Sequence, residues 1–286
     1  MFLILEKNEL AAKVFRYIIE APNVVKKAKA GQFVILRLYE DGERIPITLA
    51  DWDVAKGTIT LYVQAIGKTT IMMSMMKAGD FLMDVVGPFG VPSHVEKGKT
   101  FVALGGGFGI AAIHPIVRAH KLMGNKTISV IGARSKELLI MENEMKAISD
   151  EVRIATDDGS YGSKGFVTTI LKTMLEAKEQ IDVVLAIGPV VMMKAVSDLT
   201  KPYGVQTLVS LNPIMMDGTG MCGACRVIVG DKMQFACVDG PEFDGHAVDF
   251  NLLMSRQKMY SPQEKISMEI FEKICQTQEQ RETATW

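Results

Sequence analysis

Hydrophobic and polar positions alternate through the first third of the chain. Short apolar, β-branched or aromatic runs fall at 2–5, 14–19, 32–39, 46–49, 58–64 and 81–86. Turn-forming residues separate them: Ala21-Pro22-Asn23, Asp41-Gly42, Lys56-Gly57 and Gly87-Pro88. Six short runs at this spacing predict a six-stranded antiparallel β-barrel over residues 1–96. One helix interrupts it at 69–77, stopped by Gly79.

The period changes near Lys97. Residues 101–104 are wholly apolar and run into a glycine turn, and further strands are predicted at 127–133, 152–156, 183–187 and 207–211. Helical patterns lie between them. The clearest spans 166–176, where Val167, Ile170, Leu171, Met174 and Leu175 recur at i, i+3, i+4, i+7 and i+8. Strand and helix in alternation predict a five-stranded parallel, Rossmann-like sheet over 97–211, an α/β unit covered on both faces. Its ligand crevice belongs at the carboxyl ends of the strands.

After Asn212 the pattern breaks. Residues 212–245 are rich in Gly and Cys and carry a hairpin signal, 226–229 and 233–236 around Gly230-Asp231. The tail, 246–286, is polar. Ser261-Pro262-Gln263-Glu264 is a capping box that opens a C-terminal helix. Ile266, Ile270 and Ile274 mark one face of it, expected to dock on a partner subunit or, failing that, on its own chain.

Composition narrows the classes. The 286 residues suit about two domains with an appendage. Lys and Arg number 32 against 33 Asp and Glu, a net charge of −1, so no cation excess exists for binding nucleic acid or a membrane surface. Five apolar residues before Glu6 are too few for a signal-peptide core. The weakly charged stretch 101–117 is broken by glycines and Pro115, which reads as strand, turn and helix rather than a membrane span. A cytoplasmic protein is expected. Four cysteines make no disulfide framework, and three of them within residues 222–237 point to metal.

The strongest chemical signal is Asp217-x4-Cys222-x2-Cys225-x11-Cys237. Plant-type [2Fe–2S] proteins use C-x4-C-x2-C and a distant cysteine. Gly218, Gly220, Gly223 and Ala224 allow a loop to wrap a cluster closely, with aspartate in the first ligand position. A zinc knuckle and a set of buried structural thiols are the alternatives. Cys275, on the tail helix, reads as a packed small side chain.

A second signal is Leu104-Gly105-Gly106-Gly107-Phe108-Gly109-Ile110-Ala111 between a strand and a helix. Such a loop brings backbone and a helix N-terminus to a pyrophosphate. A third is Arg44-Ile45-Pro46-Ile47-Thr48 with Gly67-Lys68-Thr69-Thr70, an arginine and hydroxyls at a helix start, which makes a second anion site. Asp157-Asp158-Gly159-Ser160-Tyr161-Gly162 ends the third parallel strand and faces the crevice. The four histidines, His94, His114, His120 and His246, show no ligand spacing.

Together with Gly79-Asp80, Gly87-Pro88-Phe89-Gly90 and Gly188-Pro189, these motifs resemble the ferredoxin–NADP reductase superfamily, in its branch with a C-terminal [2Fe–2S] module. The resemblance covers nearly the whole chain. It implies FAD on the barrel, with Arg44 on its pyrophosphate and Thr48 as the catalytic contact near flavin N5. Pro46, Ile47, Val63, Gln64, Gly67, Thr69 and Thr70 would complete that site. It implies NAD(H) on the parallel sheet, at Gly106, Gly107, Gly109, Ile110, Asp157, Gly188 and Pro189. Asp217, Cys222, Cys225 and Cys237 would hold the cluster.

The wider superfamily places its flavin-site arginine one residue closer to the hydroxyl and follows it with a tyrosine. Neither feature is present here. Asp217 favours the electron-bifurcating ferredoxin:NADP oxidoreductase type over the dihydroorotate dehydrogenase type, which has cysteine there. The function implied is electron transfer between NADH, FAD and the cluster. The partner implied is a larger flavin and iron–sulfur subunit that binds NADP(H) and exchanges electrons with ferredoxin. The dihydroorotate dehydrogenase electron-transfer subunit is the alternative, and a zinc-stabilised nucleotide-binding adaptor is a rival of another class. Asp157 and Asp158 favour NADH by binding ribose hydroxyls and repelling a 2′-phosphate, while Arg134 pulls the other way.

Overall fold

The computed structural model describes residues 1–283, with side chains through Cys275. The antiparallel region holds β1 (Phe2–Ala11), β2 (Val14–Glu20), helix α1 (Pro22–Val25), β3 (Phe33–Arg37), β4 (Ile45–Thr48), β5 (Asp51–Asp53), β6 (Thr58–Gln64), helix α2 (Lys68–Met75), β7 (Phe81–Leu82) and β8 (Asp84–Phe89). The expected six-stranded barrel is instead eight strands in two sheets, ordered β5-β6-β2-β1-β7 and β4-β3-β8. The two sheets enclose one core, in which Ile4, Tyr17 and Leu61 of one meet Val34, Leu36 and Val85 of the other. The run at 81–86 is two strands because the chain changes sheets at Met83. Phe81 and Leu82 pair with β1, Met83 N–H donates to Leu38 O, and Asp84 onward pairs with β3.

The second region begins with β9 (Thr100–Gly106), α3 (Gly109–Leu122), β10 (Lys126–Ala133), α4 (Glu142–Ile148), β11 (Glu151–Thr156), β12 (Ser163–Lys164) and α5 (Val167–Glu176). It continues through β13 (Val183–Ile187), α6 (Val190–Thr200) and β14 (Gln206–Ser210). The five expected strands are all present and parallel, in the order β11-β10-β9-β13-β14. The sheet nevertheless has seven strands and is mixed. The polar β12 adds a parallel edge, and a strand from beyond the cysteines adds an antiparallel one. Val167, Ile170, Leu171, Met174 and Leu175 of α5 are all buried, as their spacing requires.

The cysteine-rich stretch forms a hairpin, β15 (Arg226–Val229) and β16 (Lys232–Phe235), turning at Gly230 and Asp231, both with positive φ. The strand β17 (Glu242–Asp244) then pairs with β14, with Ser210 opposite Glu242. Two helices close the chain, α7 (Phe250–Gln257) and α8 (Ser261–Thr283). The tail helix is not wholly free, since it lies against α2 of its own chain. Ile266, Ile270 and Ile274 still stay about half exposed, at 57%, 55% and 52%. Among the described residues no helix is long and apolar enough to cross a membrane.

Candidate functional site

The candidate residues fall in two recesses and one loop. The first lies where the antiparallel region meets α3 and the ends of β13 and β14. Register pairs Phe33 with Thr48 and Ile35 with Pro46, so Phe33, Pro46 and Thr48 share one face. That face lines a cavity of about 150 Å³, closed by Ala112, Ile187 and Pro213. Arg44 stands exposed just before β4, with no ion-pair partner among the described residues.

Nearby, the N-terminus of α2 already holds a carboxylate. Thr69 Oγ1 donates to Glu43, and Lys68 Nζ lies 3.5 Å from the same side chain. Both contacts come from side chains at the helix start, where a negative group is favoured. The Thr70 hydroxyl is committed to the helix cap, accepting from Gly67 N at 3.0 Å and donating to Gly67 O at 2.9 Å. Gln64 is half-buried, whereas Val63 is in the core at 1% exposure, leaving only its backbone to face a cofactor. Glu43 carried no readable signal, because its partner Thr69 is twenty-six positions away.

The second recess, about 400 Å³, sits at the carboxyl ends of β9, β10 and β11. Gly106, Gly107, Arg134, Asp157, Phe166 and Pro189 line it. Gly109 is obligatory, because a Cβ there would drive into the Ile187 carbonyl. The close approach of α3 to β13 that this allows sets the depth of the floor, and Gly188 packs beside Gly106. Ile110 is fully buried beneath the helix start, so its side chain supports the loop from inside. Asp157 and Arg134 are both exposed and share the pocket. Asp158 turns away, accepting the N–H and hydroxyl of Ser160, which hold its carboxyl below the usual range. Phe166, 61% exposed at the rim, is a lining residue that the helical pattern had concealed as a cap position. His114 is core, buried with Nδ1 3.2 Å from Ala50 O.

The third site is the cysteine loop. Cys225 and Cys237 are buried with their sulfurs 3.2 Å apart, while Cys222 is exposed. Burial, then the hydrogen bond with Cys225, pushes the Cys237 thiol up to about 12. Asp217 accepts from Thr219 N and Cys222 N, each at 2.8 Å, and these N–H groups hold its carboxyl below the usual range. Among the described residues no three His, Cys, Asp or Glu side chains converge on one point. The four candidates instead form two limbs: the thiol pair, and Asp217 tied to the backbone of Cys222. Cys275 stands apart, lining the gap between α8 and α2 beside Lys68 and Met72.

The loop touches the antiparallel region. Gly218 has φ +76 and no room for a Cβ, which would meet the Phe89 ring at 2.8 Å. Phe89 in turn lies 6.0 Å, centroid to centroid, from Phe33. A chain of contacts therefore runs from the first cavity through Phe33 and Phe89 to the cysteine loop.

The chain is similar to known proteins in sequence and fold. Residues 212–249 match the family profile of the iron–sulfur cluster binding domain of dihydroorotate dehydrogenase B. A Thermotoga maritima homologue of the dihydroorotate dehydrogenase B (NAD(+)) electron transfer subunit is 48% identical over 272 residues, covering 95% of this chain and 96% of its own. The electron transfer subunit from Bacillus velezensis is 30% identical over 84% of this chain and 95% of its own. A solved chain from work on flavin-based electron bifurcation, the NADH-dependent reduced ferredoxin-NADP oxidoreductase, superposes with TM-score 0.90 at 47% identity. It covers 95% of this chain and 98% of its own. A Neisseria gonorrhoeae ferredoxin NADP+ reductase with bound FAD and NADP shares the fold at TM-score 0.61, 22% identical over 71% of this chain and 90% of its own. The chain belongs to the family of dihydroorotate dehydrogenase B electron-transfer subunits and their homologues.

Proposed function

We propose that the chain passes electrons between NAD(H), FAD and a [2Fe–2S] cluster, and on to a larger flavin and iron–sulfur subunit of a ferredoxin:NADP oxidoreductase. The observation that carries this is the contact route from the Thr48 cavity through Phe33 and Phe89 to Gly218, which links the first cavity to the cysteine loop. The flavin supplies two-electron exchange with the nicotinamide and one-electron exchange with the cluster.

The chain's own residues do the rest. Arg44 and the α2 N-terminus bind the flavin diphosphate, displacing Glu43 from Thr69. Thr48 offers a hydroxyl at the flavin ring, while Ala112 and Ile187 keep water from it. Gly106, Gly107, Gly188 and Pro189 form the floor under the nicotinamide nucleotide, with Asp157 on its ribose. Asp217, Cys222, Cys225 and Cys237 would hold the cluster, which would supply one-electron transfer there. The proposed units are 1–96 for FAD, 97–211 for the nucleotide, 212–245 for the cluster, and the tail.

The larger subunit binds NADP(H) and exchanges electrons with ferredoxin. The 47%-identical oxidoreductase chain and the 48%-identical Thermotoga maritima homologue match equally well, so this reading over the dihydroorotate dehydrogenase type rests on Asp217 in the first ligand position. The test is anaerobic reconstitution of the full chain with FAD, iron and sulfide. NADH should bleach the flavin band and then raise the EPR signal of a reduced [2Fe–2S] cluster. A colourless chain that takes up zinc alone would refute the proposal.

A further inference from the structure

Two guanidinium groups hold the turn between Cys222 and Cys225. Arg226 Nη1 donates to the Gly223 carbonyl at 3.2 Å. Arg256 Nη2, reaching from α7, donates to the Ala224 carbonyl at 3.1 Å. Gly223 and Ala224 are the two residues between the thiols. In a trans peptide the N–H points opposite to the carbonyl. Pulling these carbonyls toward the arginines therefore turns the N–H groups of Ala224 and Cys225 to the other side, where sulfur acceptors can use them.

The charges are out of balance. Neither arginine has an acidic partner among the described residues, and the two guanidiniums repel each other. Arg256 is partly buried, and its Nε–H is enclosed with no acceptor. Leaving a buried donor unpaired and two like charges adjacent is unfavourable on both counts. A negative group at the loop relieves the like-charge repulsion through its field. A [2Fe–2S] cluster held by three thiolates and a carboxylate is such a group, and reduction adds a further negative charge to it.

We infer that Arg256, seconded by Arg226, is the counter-charge of the cluster. It positions the turn between Cys222 and Cys225 and stabilises the reduced cluster over the oxidised one. Arg256 acts through the turn and the field, not by ligating iron. The inference rests on the cluster reading proposed above.

The test is the cluster's midpoint potential in the full, cofactor-loaded chain, followed by EPR during redox titration. Arg256→Gln should lower the potential, because it removes a positive charge that favours the reduced form. Arg256→Lys should restore most of it, because the charge remains although the planar fork is lost. The flavin potential should stay put in both. Arg226→Gln, at an exposed position, should give a smaller fall that shrinks with added salt. A potential unchanged in Arg256→Gln overturns the inference, as does a fall in Arg256→Lys as large as in Arg256→Gln. Should Arg256→Gln fail to retain iron, Arg226→Gln decides alone, and an unchanged potential at low salt overturns the inference. Wild-type chain that takes up no iron and sulfide refutes the cluster reading itself, a result separate from any of these.

Discussion

The carboxylate of Asp217 accepts the backbone N–H of Cys222 at 2.8 Å, so the two residues of the outer limb are fixed to each other. This Asx bond organises the loop, and the proposed ligand role requires the same carboxylate to reach iron. Asp217→Ala should reduce iron retention or open the cluster to an added thiol. Asp217→Cys should keep the cluster and move its potential and EPR signal to those of an all-thiolate site. Asp217→Asn keeps the cap but weakens the ligand. An unchanged EPR spectrum in Asp217→Asn, together with cluster loss in Cys275→Ser, would falsify the ligand assignment.

Asp157 and Arg134, proposed to set nucleotide choice, line the same pocket. The proposed carboxylate–ribose bond predicts a higher kcat/KM with NADH than with NADPH in a diaphorase assay. Asp157→Ala should narrow that ratio by about tenfold, the loss of one charge-assisted hydrogen bond. A wild-type preference for NADPH would reverse the assignment.

Arg44, without an ion-pair partner among the described residues, follows Glu43, whose carboxylate meets Thr69 at the start of α2. Arg44→Ala should weaken FAD binding roughly 10- to 100-fold, read by flavin fluorescence during dilution or dialysis. Glu43→Gln should strengthen it, since no carboxylate then competes for Thr69. Equal FAD affinity in Arg44→Ala and wild type would remove Arg44 from the site.

Glu242 offers a pH test of stability. Its carboxyl is enclosed beside Ser93, whose hydroxyl donates to it, and burial raises its pKa above the ordinary carboxylate value. The folded chain therefore holds this proton more tightly than the unfolded chain. Stability from this group is complete below the unfolded pKa and is lost as pH rises towards the folded one. Glu242→Gln cannot ionise. The Tm advantage of Glu242→Gln over wild type should be smallest in acid and grow towards neutral pH. A difference that stays flat, or shrinks with rising pH, contradicts this.

The tail helix packs on α2, yet its isoleucine face is half exposed. Truncation after Tyr260 should leave flavin content and NADH diaphorase activity intact while preventing co-purification with the larger subunit. Retained complex formation would assign α8 to its own chain alone.

What the sequence showed depended on how local each signal was. The α5 stripe carries its own period, and the strands β9, β10 and β13 carry near-continuous apolar runs, so burial and pattern agree. Asp51-Trp52-Asp53, Ser163-Lys164 and Glu242-Phe243-Asp244 have no apolar run, and they are strands only because a neighbouring strand edge captures them. The site divides in the same way. Spacing exposed the Asp217–Cys237 set, because those candidate ligands lie close together in the chain. Glu43, Phe166 and Arg256 were silent, because each owes its role to a residue or recess distant in the chain.

The cysteine-bearing stretch leaves the nucleotide sheet after β14 and returns at β17, and the Leu211 N–H donates to the Pro241 carbonyl at 2.9 Å across its base. Its two ends therefore lie side by side, in the manner of a cartridge plugged into a socket. Changes in the length or ligand set of such an excursion cost little closure entropy and leave the strand ladder beneath it in register. Whatever group that stretch carries can therefore change without disturbing the sheet on which it is mounted.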